Sequence, residues 1–354
     1  RDVTPNYANH MVFLFFGGFV LALAVEASNL HERVALDVLA RLGSSPRRLV
    51  WGFLVVTAGL SMWLSNTATT LMLLPIAAGV AARIEDPGAS SRLFLAVAFG
   101  ASVGGMATLV GTPPNLVLAG MAPELLPDLP QLTFGGWMVF GVPVVLVLIP
   151  VLGLRLGRGL SGGRGAGKVI AEARSALGPV SAHEKRAAAL FLMTAGAWIT
   201  RPGFDFGSFH LPGWGDFLAD GAMASDAVPA VAAAVLATLL PAGTEDGRRM
   251  LRWTDVHHGV PWGILLLFGG GFALADAVRV SGLELWVAEL LGGLAGLPLP
   301  VVLLTLCLVA TFATELTSNP ATATLLMPVM AALSGVLAVP PYLLMVAATL
   351  SCSC

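Results

Sequence analysis

The stretch SMWLSNTATT at residues 61–70 lies in the middle of a run, 49–82, that contains no charged residue. As a single α-helix this run would be about 51 Å long, whereas the hydrocarbon core of a bilayer is about 30 Å thick. Its centre, from Ser65 to Thr70, is polar and rich in residues that cap helices. The run therefore predicts a re-entrant hairpin, in which two helical arms each reach about half-way through a membrane and meet at a polar tip. A long tilted helix with a Ser/Thr packing face is the alternative.

The composition places this hairpin in a membrane protein. The chain has 354 residues, of which 56% are hydrophobic and only 11% charged, against about 25% charged in a soluble domain. So low a share of charged residues excludes soluble enzymes and nucleic-acid binders. It predicts that the chain is embedded in a lipid bilayer. Apolar runs predict membrane-spanning helices at 11–29, 92–121, 132–155, 185–201, 224–241, 260–280 and from 340 onward.

The distribution of Lys and Arg predicts the orientation, because cytoplasmic loops are enriched in both residues. Segments 30–48, 155–186 and 245–258 are basic, whereas 119–133 and 202–226 contain acidic residues and neither Lys nor Arg. Basic and acidic segments alternate in step with the spans. We therefore expect the basic segments in the cytoplasm and the first residues of this chain outside.

An internal repeat relates the two ends of the chain at a constant offset of 253 residues. The matching positions include Phe15, Gly17, Gly18, Phe19, Ser65, Asn66 and Pro75 with Phe268, Gly270, Gly271, Phe272, Ser318, Asn319 and Pro328. The copies are an odd number of spans apart, so the repeat is predicted to be inverted, as in transporters that bind substrate at the membrane midplane. An old duplication without functional consequence is the alternative. The repeat also predicts a second hairpin at 299–335, entering from outside.

A second motif, Gly111-Thr112-Pro113-Pro114-Asn115, interrupts the charge-free run 93–123. Two prolines remove two amide donors and break the helix. The carbonyl groups that are freed can bind a hard cation such as sodium, and the half-helix beyond Pro114 offers its positive end to an anion. The expected fold is therefore an all-α polytopic membrane protein with an inverted-topology repeat, two re-entrant helical hairpins and broken transmembrane helices.

These motifs resemble the divalent anion/sodium symporter family, whose members carry dicarboxylates, citrate or sulfate. The resemblance covers nearly the whole chain in family order. It rests on residues 61–67 (SMWLSNT), 111–115 (GTPPN), 268–271 (FGGG) and 315–319 (ELTSN). It implies a homodimer of scaffold and transport domains that works by an elevator movement in the cell (inner or plasma) membrane.

The resemblance also implies specific ligands for Na⁺, the coupling ion, and for a small anionic substrate. The first sodium site would use Ser61, Ser65, Asn66, Gly111 and Asn115, and the second would use Thr314, Thr317 and Asn319. The substrate would contact Ser65, Asn66, Thr67, Thr112, Pro113, Ser318, Asn319 and Pro320. The implied domains are a scaffold span with an amphipathic cytoplasmic helix, a first transport-domain repeat, a flexible cytoplasmic linker, scaffold spans and a second transport-domain repeat, at 1–48, 49–156, 157–184, 185–298 and 299–354.

Two departures from the family pattern affect these expectations. Pro320 stands where the second tip usually has threonine, which removes a hydroxyl group. The repeat offset places the second Thr-Pro-Pro motif near position 365, beyond this sequence, so the second sodium site is incomplete here. The family's earliest spans are also missing, and we do not expect this stretch alone to transport.

The leading hypothesis is sodium-coupled symport of a small divalent anion. The runner-up is a sodium-independent exchanger or efflux carrier of the arsenite type within the same superfamily. An intramembrane enzyme is disfavoured, because the spans contain no nucleophile–base set and no acidic or histidine metal pair. A receptor descended from a carrier would keep both Ser-Asn tips but transport nothing.

Overall fold

The computed structural model describes residues 3–43, 45–84, 87–160, 166–205, 209–218, 224–244, 247–290, 293 and 296–353. Its helices are α1 Thr4–Tyr7, α2 His10–Ala27, α3 Leu30–Leu42, α4 Pro46–Ser61, α5 Asn66–Ala81, α6 Pro87–Gly105, α7 Pro113–Leu125, α8 Phe134–Leu156, α9 Ala166–Ala176, α10 Ala182–Thr200, α11 Ala227–Leu239, α12 Trp253–Gly259, α13 Trp262–Ser281, α14 Leu283–Leu290, α15 Leu299–Leu316, α16 Asn319–Val336 and α17 Pro341–Ser351. A short antiparallel pair, β1 Phe204–Asp205 and β2 His210–Leu211, precedes a 3₁₀ turn, Trp214–Phe217.

Four helical segments in the described part of the chain are long and apolar enough to cross a membrane. They are Thr4–Ala27, Phe134–Leu156, Trp262–Ser281 and Leu299–Leu316. The first three match predicted spans. The prediction at 224–241 was too long, because α11 has only 13 residues and ends where Leu240 turns to extended backbone before the bridge between Pro241 and Arg249.

Both predicted hairpin tips are breaks between two helices. Ser65 caps α5, its hydroxyl oxygen accepting a hydrogen bond from the Ala68 amide at 3.2 Å. Ser318 caps α16 in the same way, from the Ala321 amide at 3.4 Å. The arms are longer than the half-span that we expected. α4 and α5 have 16 residues each, or about 24 Å, because α4 already begins within the basic segment 30–48.

The helix break at the Thr-Pro-Pro motif is confirmed. α6 ends at Gly105 and α7 begins at Pro113, with turns between them. Pro113 and Pro114 occupy the first turn of α7, where an amide donor has no partner within the helix and proline is tolerated.

The internal repeat extends to individual hydrogen bonds and backbone angles. The Ser28 hydroxyl donates to the Val25 carbonyl at 2.9 Å, and Ser281, 253 residues later, donates to Val278 at 3.0 Å. The residue that follows each serine has left-handed backbone, with φ of 61° at Asn29 and 70° at Gly282. The two copies therefore fold alike at the junctions α2–α3 and α13–α14.

The chain forms two compact units. The first unit comprises residues 1–15, 112–133 and 261–354, and the second comprises 16–111 and 134–260. The predicted domain boundaries stay a prediction.

Within the second unit, glycines let α4 and α6 approach closely. A Cβ atom at Gly104 would lie 2.4 Å from the Ala58 Cα atom, and one at Gly100 would lie 2.8 Å from the Leu54 carbonyl oxygen. Small residues permit such contacts between apolar helices in membranes. The first arm of the hairpin is thereby packed directly against the helix that leads into the Thr-Pro-Pro break.

An aromatic stack fixes the first tip within the same unit. The Trp63 ring is stacked on Phe134, with centroids 5.9 Å apart, and meets the edge of Phe191 at 5.0 Å. Phe134 is in turn stacked on Trp198 at 4.5 Å, and the Trp198 indole donates to the Asp226 carbonyl at 2.8 Å. Trp63 therefore connects the tip to α8 and α10.

The segment predicted as a flexible linker contains the ordered helix α9. Its Ala, Lys, Glu and Arg residues favour helix, and Arg174 pairs with Asp37 of α3 at 2.5 Å. A second ion pair joins Arg33 of α3 to Glu184 of α10, also at 2.5 Å, with side chains only 12% and 4% exposed. Arg33 also donates to the Leu177 and Gly178 carbonyls. The C-terminal part of the linker is thus bound to α3.

Candidate functional site

The first hairpin tip is organised by one hydroxyl group. Ser61 Oγ lies 2.9 Å from Asn66 Oδ1 and 2.7 Å from the Ala101 carbonyl oxygen. A hydroxyl has a single proton and can donate to only one of these oxygens at a time. Three oxygen atoms, those of the Ser61 hydroxyl, the Asn66 side chain and the Ala101 carbonyl, therefore lie close together where α4 ends.

Two glycines bring further oxygens to this place. A Cβ atom at Gly105 would lie 2.3 Å from Asn66 Oδ1 and 3.1 Å from the Gly111 carbonyl oxygen. A Cβ atom at Gly111 would lie 2.5 Å from the Gly105 carbonyl oxygen and 2.9 Å from that of Met62. Any side chain at either position would collide with these oxygens. Hard cations bind oxygen ligands, among them backbone and Asn side-chain carbonyls, so the chemistry of these donors fits a sodium ion.

The break after α6 is attached to the tip by Thr108, a residue that the sequence analysis missed. Its hydroxyl donates to the Met62 carbonyl and accepts from the Gly111 amide at 3.2 Å. Thr108 is fully buried. Its position three residues before Gly111 was the only available signal, and a lone threonine in an apolar run is not specific.

The second tip repeats the first within its own unit. The Thr314 hydroxyl lies 2.6 Å from Asn319 Oδ1 and 3.4 Å from the Cys352 carbonyl oxygen. Thr314 and Asn319 correspond to Ser61 and Asn66 at the repeat offset. The sequence-predicted pair of the second sodium site is therefore in direct contact.

Two further hydroxyls distinguish the second tip. Thr317 Oγ1 lies 2.5 Å from Thr322 Oγ1 and 3.1 Å from the Ala313 carbonyl oxygen. The corresponding positions of the first copy are Leu64 and Thr69, so this hydroxyl pair is specific to the second hairpin. Thr322 was not among the predicted site residues.

Pro320 is the second residue of α16, where its missing amide leaves no intrahelical hydrogen bond unmade. Its carbonyl oxygen accepts a hydrogen bond from the Thr324 hydroxyl at 2.8 Å. Thr67 holds the equivalent place in α5 and is exposed. The two tips therefore start their second arms alike but differ in the hydroxyl group at this position.

The remaining predicted residues lie at the start of α7. Thr112 Oγ1 is 3.4 Å from Ser353 Oγ, in a buried contact. The backbone N–H of Asn115 donates to the Thr112 carbonyl at 3.2 Å. Pro113 begins the helix. Thr112, Pro113, Asn115, Ser318, Asn319 and Pro320 belong to the first unit, and Ser61, Ser65, Asn66, Thr67 and Gly111 to the second. The combined substrate and sodium assignments stay predictions.

Long apolar helices, duplicated polar tips and a proline-broken helix define a multi-pass membrane transport protein. The citrate transporter family profile matches residues 3–350, and the chain belongs to this family. It is 36% identical to the sodium-dependent dicarboxylate transporter SdcS of Staphylococcus saprophyticus over 374 residues, covering 100% of this chain and 69% of that protein. It is 34% identical to SdcS of Staphylococcus aureus over 376 residues, with the same coverage.

A solved structure shares the fold. The YdaH transporter of Alcanivorax borkumensis, whose crystal structure has an unusual topology, matches with a TM-score of 0.66 and 17% identity. The match covers 100% of this chain and 76% of that one. This structure confirms the helical fold. The family profile and the Staphylococcus relatives confirm the family and the expectation of a transporter rather than an enzyme.

Proposed function

We propose that this protein is a secondary active symporter that couples sodium entry to the uptake of small divalent anions, dicarboxylates first among them. The main structural support is the duplicated hydroxyl–amide pair, Ser61 with Asn66 and Thr314 with Asn319, each placed at a helix break. The names of the Staphylococcus relatives, sodium-dependent dicarboxylate transporters, support the same ion and the same class of substrate.

Charge considerations support sodium coupling. The segments 49–82, 93–123 and 299–354 contain no Lys or Arg, so an anion there would be held by helix ends, hydroxyls, amides and bound cations. Moving a dianion inward against a membrane potential of about 100 mV costs about 4.6 kcal/mol, twice the value for one charge. Two co-transported sodium ions cancel this cost.

The proposal assigns one sodium ion to the oxygens around Ser61, Asn66 and Gly111, and another to those around Thr314 and Asn319. The polar residues of the two tips and the start of α7 bind the anion. An elevator movement of the hairpin-bearing domains, and assembly as a homodimer, complete the proposal.

Uptake into proteoliposomes made with the full-length protein tests this function. We expect succinate uptake only with an inward sodium gradient, together with a rise in melting temperature on adding sodium. Asn66→Ala removes an oxygen ligand of the first site, so it should abolish sodium-driven uptake and reduce the sodium-induced rise in melting temperature while the protein stays folded. Asn6→Ala, which deletes the same amide in α1 outside both hairpins, is the matched control.

Two results would contradict the proposal. Exchange that needs internal anion and ignores sodium would favour the efflux or exchange carrier instead. A sodium-induced thermal shift that is unchanged in Asn66→Ala would remove the first sodium site from the mechanism.

A further inference from the structure

A basic cavity lies where α8 ends, in a part of the second unit that contains none of the proposed sodium or substrate ligands. It has a volume of about 390 Å³ and is lined by Arg47, Arg155 and Arg158, by Leu154 and Leu160, and by the backbone of Gly157 and Gly159. Arg47 comes from the first turn of α4, Arg155 from the last turn of α8, and Arg158 from the turn that follows. Three arginines from separate places in the chain therefore line one concavity.

Local packing holds this arrangement in place. Arg92 of α6 donates to the carbonyls of Leu156 and Arg158, which fixes the turn after α8. Gly157 has no side chain, and a Cβ atom there would lie 3.2 Å from Cγ of Arg47 and 3.4 Å from the indole nitrogen of Trp51. The cavity is thus shaped by close contacts between three helices.

The arginines of this cavity have no ion-pair partner among the residues that the structure describes, in contrast to those of a neighbouring concavity. Arg33 and Arg174 line a second concavity of about 460 Å³, but each forms an ion pair, with Glu184 and Asp37 respectively. Among the described residues, no ion pair within 4.0 Å involves Arg47, Arg155 or Arg158. An anion from outside the chain would supply the missing charge.

We propose that this cavity binds the phosphate headgroup of an anionic phospholipid of the cytoplasmic leaflet. Guanidinium groups match phosphate oxygens in pairs, and basic pockets at the cytoplasmic ends of membrane helices bind such headgroups. The distribution of Lys and Arg places this end of α8 on the cytoplasmic side.

The surroundings favour a lipid over free phosphate. Leu154 lines the cavity and is 59% exposed, and Val151, one turn earlier on α8, is 51% exposed. When its headgroup is bound by the arginines, the acyl chain of the lipid would lie along the exposed apolar residues of α8. Trp51, whose ring packs against Gly153, stands at the same level, as tryptophans do at membrane interfaces.

The test measures the melting temperature of the purified full-length protein in detergent as phosphatidylglycerol is added at increasing concentration. A direct guanidinium–phosphate contact in the cavity that is worth about 1 kcal/mol contributes about fivefold in lipid affinity, so Arg155→Gln/Arg158→Gln should raise the half-effective lipid concentration about 25-fold. Arg41→Gln/Arg83→Gln, which removes two exposed arginines outside the cavity, is the matched control and should change it less than twofold. Arg155→Lys/Arg158→Lys keeps the charge but not the paired geometry, and should bind with intermediate affinity. This series also covers the case in which the glutamine variant does not fold.

Three results would overturn the proposal. Equal losses in the cavity and control variants would reduce the effect to the general attraction of basic loops for anionic membranes. Equal stabilisation by phosphatidylcholine would remove the role of the headgroup charge. Equal stabilisation by inorganic phosphate would assign the cavity to a soluble anion instead.

Discussion

The two hairpins share a polar tip but differ in how their arms are packed. In α4, ten of the 16 residues are buried, whereas in α15 only three of 18 are. Phe312 and Leu316 of α15 are 67% and 88% exposed. The tips keep the same hydroxyl–amide pair and the same serine cap despite this difference. The feature that the two hairpins share is therefore the arrangement of tip oxygens.

The largest expected effect comes from placing a side chain among the oxygen atoms of the first hairpin tip. Gly105→Ala would place a methyl group 2.3 Å from Asn66 Oδ1, so the amide must leave its place and sodium-dependent uptake should fall below about a tenth of wild type. Uptake and the sodium-induced thermal shift measure this effect. Gly59→Ala in α4 is the control, because a Cβ atom there meets nothing within 4 Å. Normal sodium dependence in Gly105→Ala would separate the tip oxygens from sodium binding.

The next effect tests the position at which the tips differ. Pro320→Thr gives the second tip the hydroxyl that Thr67 supplies in the first, and an added hydrogen bond to a charged group is worth about 1.5–3 kcal/mol. We expect succinate to bind about 10- to 150-fold more tightly, with a smaller change for the compact anion sulfate. Competition binding with the full-length protein measures both affinities. Unchanged affinities would leave Pro320 with only its role of starting α16.

A smaller effect is expected from breaking the ion pair between Arg33 and Glu184. This pair anchors α3, the helix that precedes the first hairpin. At the repeat offset from Arg33 stands Trp286, so the second hairpin lacks this pair. Burial works against ionised Glu184, but hydrogen bonds from Arg33 and Ser181 outweigh it and hold the Glu184 pKa below its ordinary value. The stabilisation is therefore present above about pH 4.3, the unfolded value, and is lost as the pH falls through the lower folded pKa.

Glu184→Gln should accordingly lower the free energy of unfolding by about 1–2 kcal/mol at neutral pH and flatten the acid limb of the stability profile. Chemical denaturation between pH 3 and pH 7 measures both. Asp37→Asn, which breaks the more exposed pair with Arg174, should cost less than about 1 kcal/mol. Equal costs for the two variants would show that burial of the Arg33–Glu184 pair adds nothing.

The smallest effect is expected from exchanging the equivalent hydroxyls. Ser61→Thr combined with Thr314→Ser keeps both hydroxyl–amide pairs, since each residue already serves in the other copy. Sodium affinity should stay within about threefold of wild type, whereas Ser61→Ala should lose about 1 kcal/mol, or roughly fivefold. A tenfold loss in the exchange variant would show that the two tips are not equivalent.

The sequence predicted those parts of the fold whose signals are local or duplicated. Ser65 and Ser318 predict the two tips because a helix cap is formed by residues that are close in sequence. Two adjacent prolines likewise predict the break before α7. Gly105 and Thr108 were missed because their roles arise from contacts with Asn66 and Met62, which lie 39 and 46 residues away in the sequence. Helix α9 was missed because its Gly-rich surroundings suggested a linker, whereas its contacts with α3 stabilise it as a helix.

The aromatic stack at the first tip has a practical consequence for measuring motion. Trp63 sits at the tip, with its ring between Phe134 and Phe191, so a displacement of the tip relative to α8 or α10 changes the indole's surroundings. Its emission therefore provides a built-in optical signal for this displacement. With the tryptophans outside this stack replaced by phenylalanine and Trp198 kept for its hydrogen bond to Asp226, the emission wavelength of the stack would follow the hairpin in real time, without an attached dye.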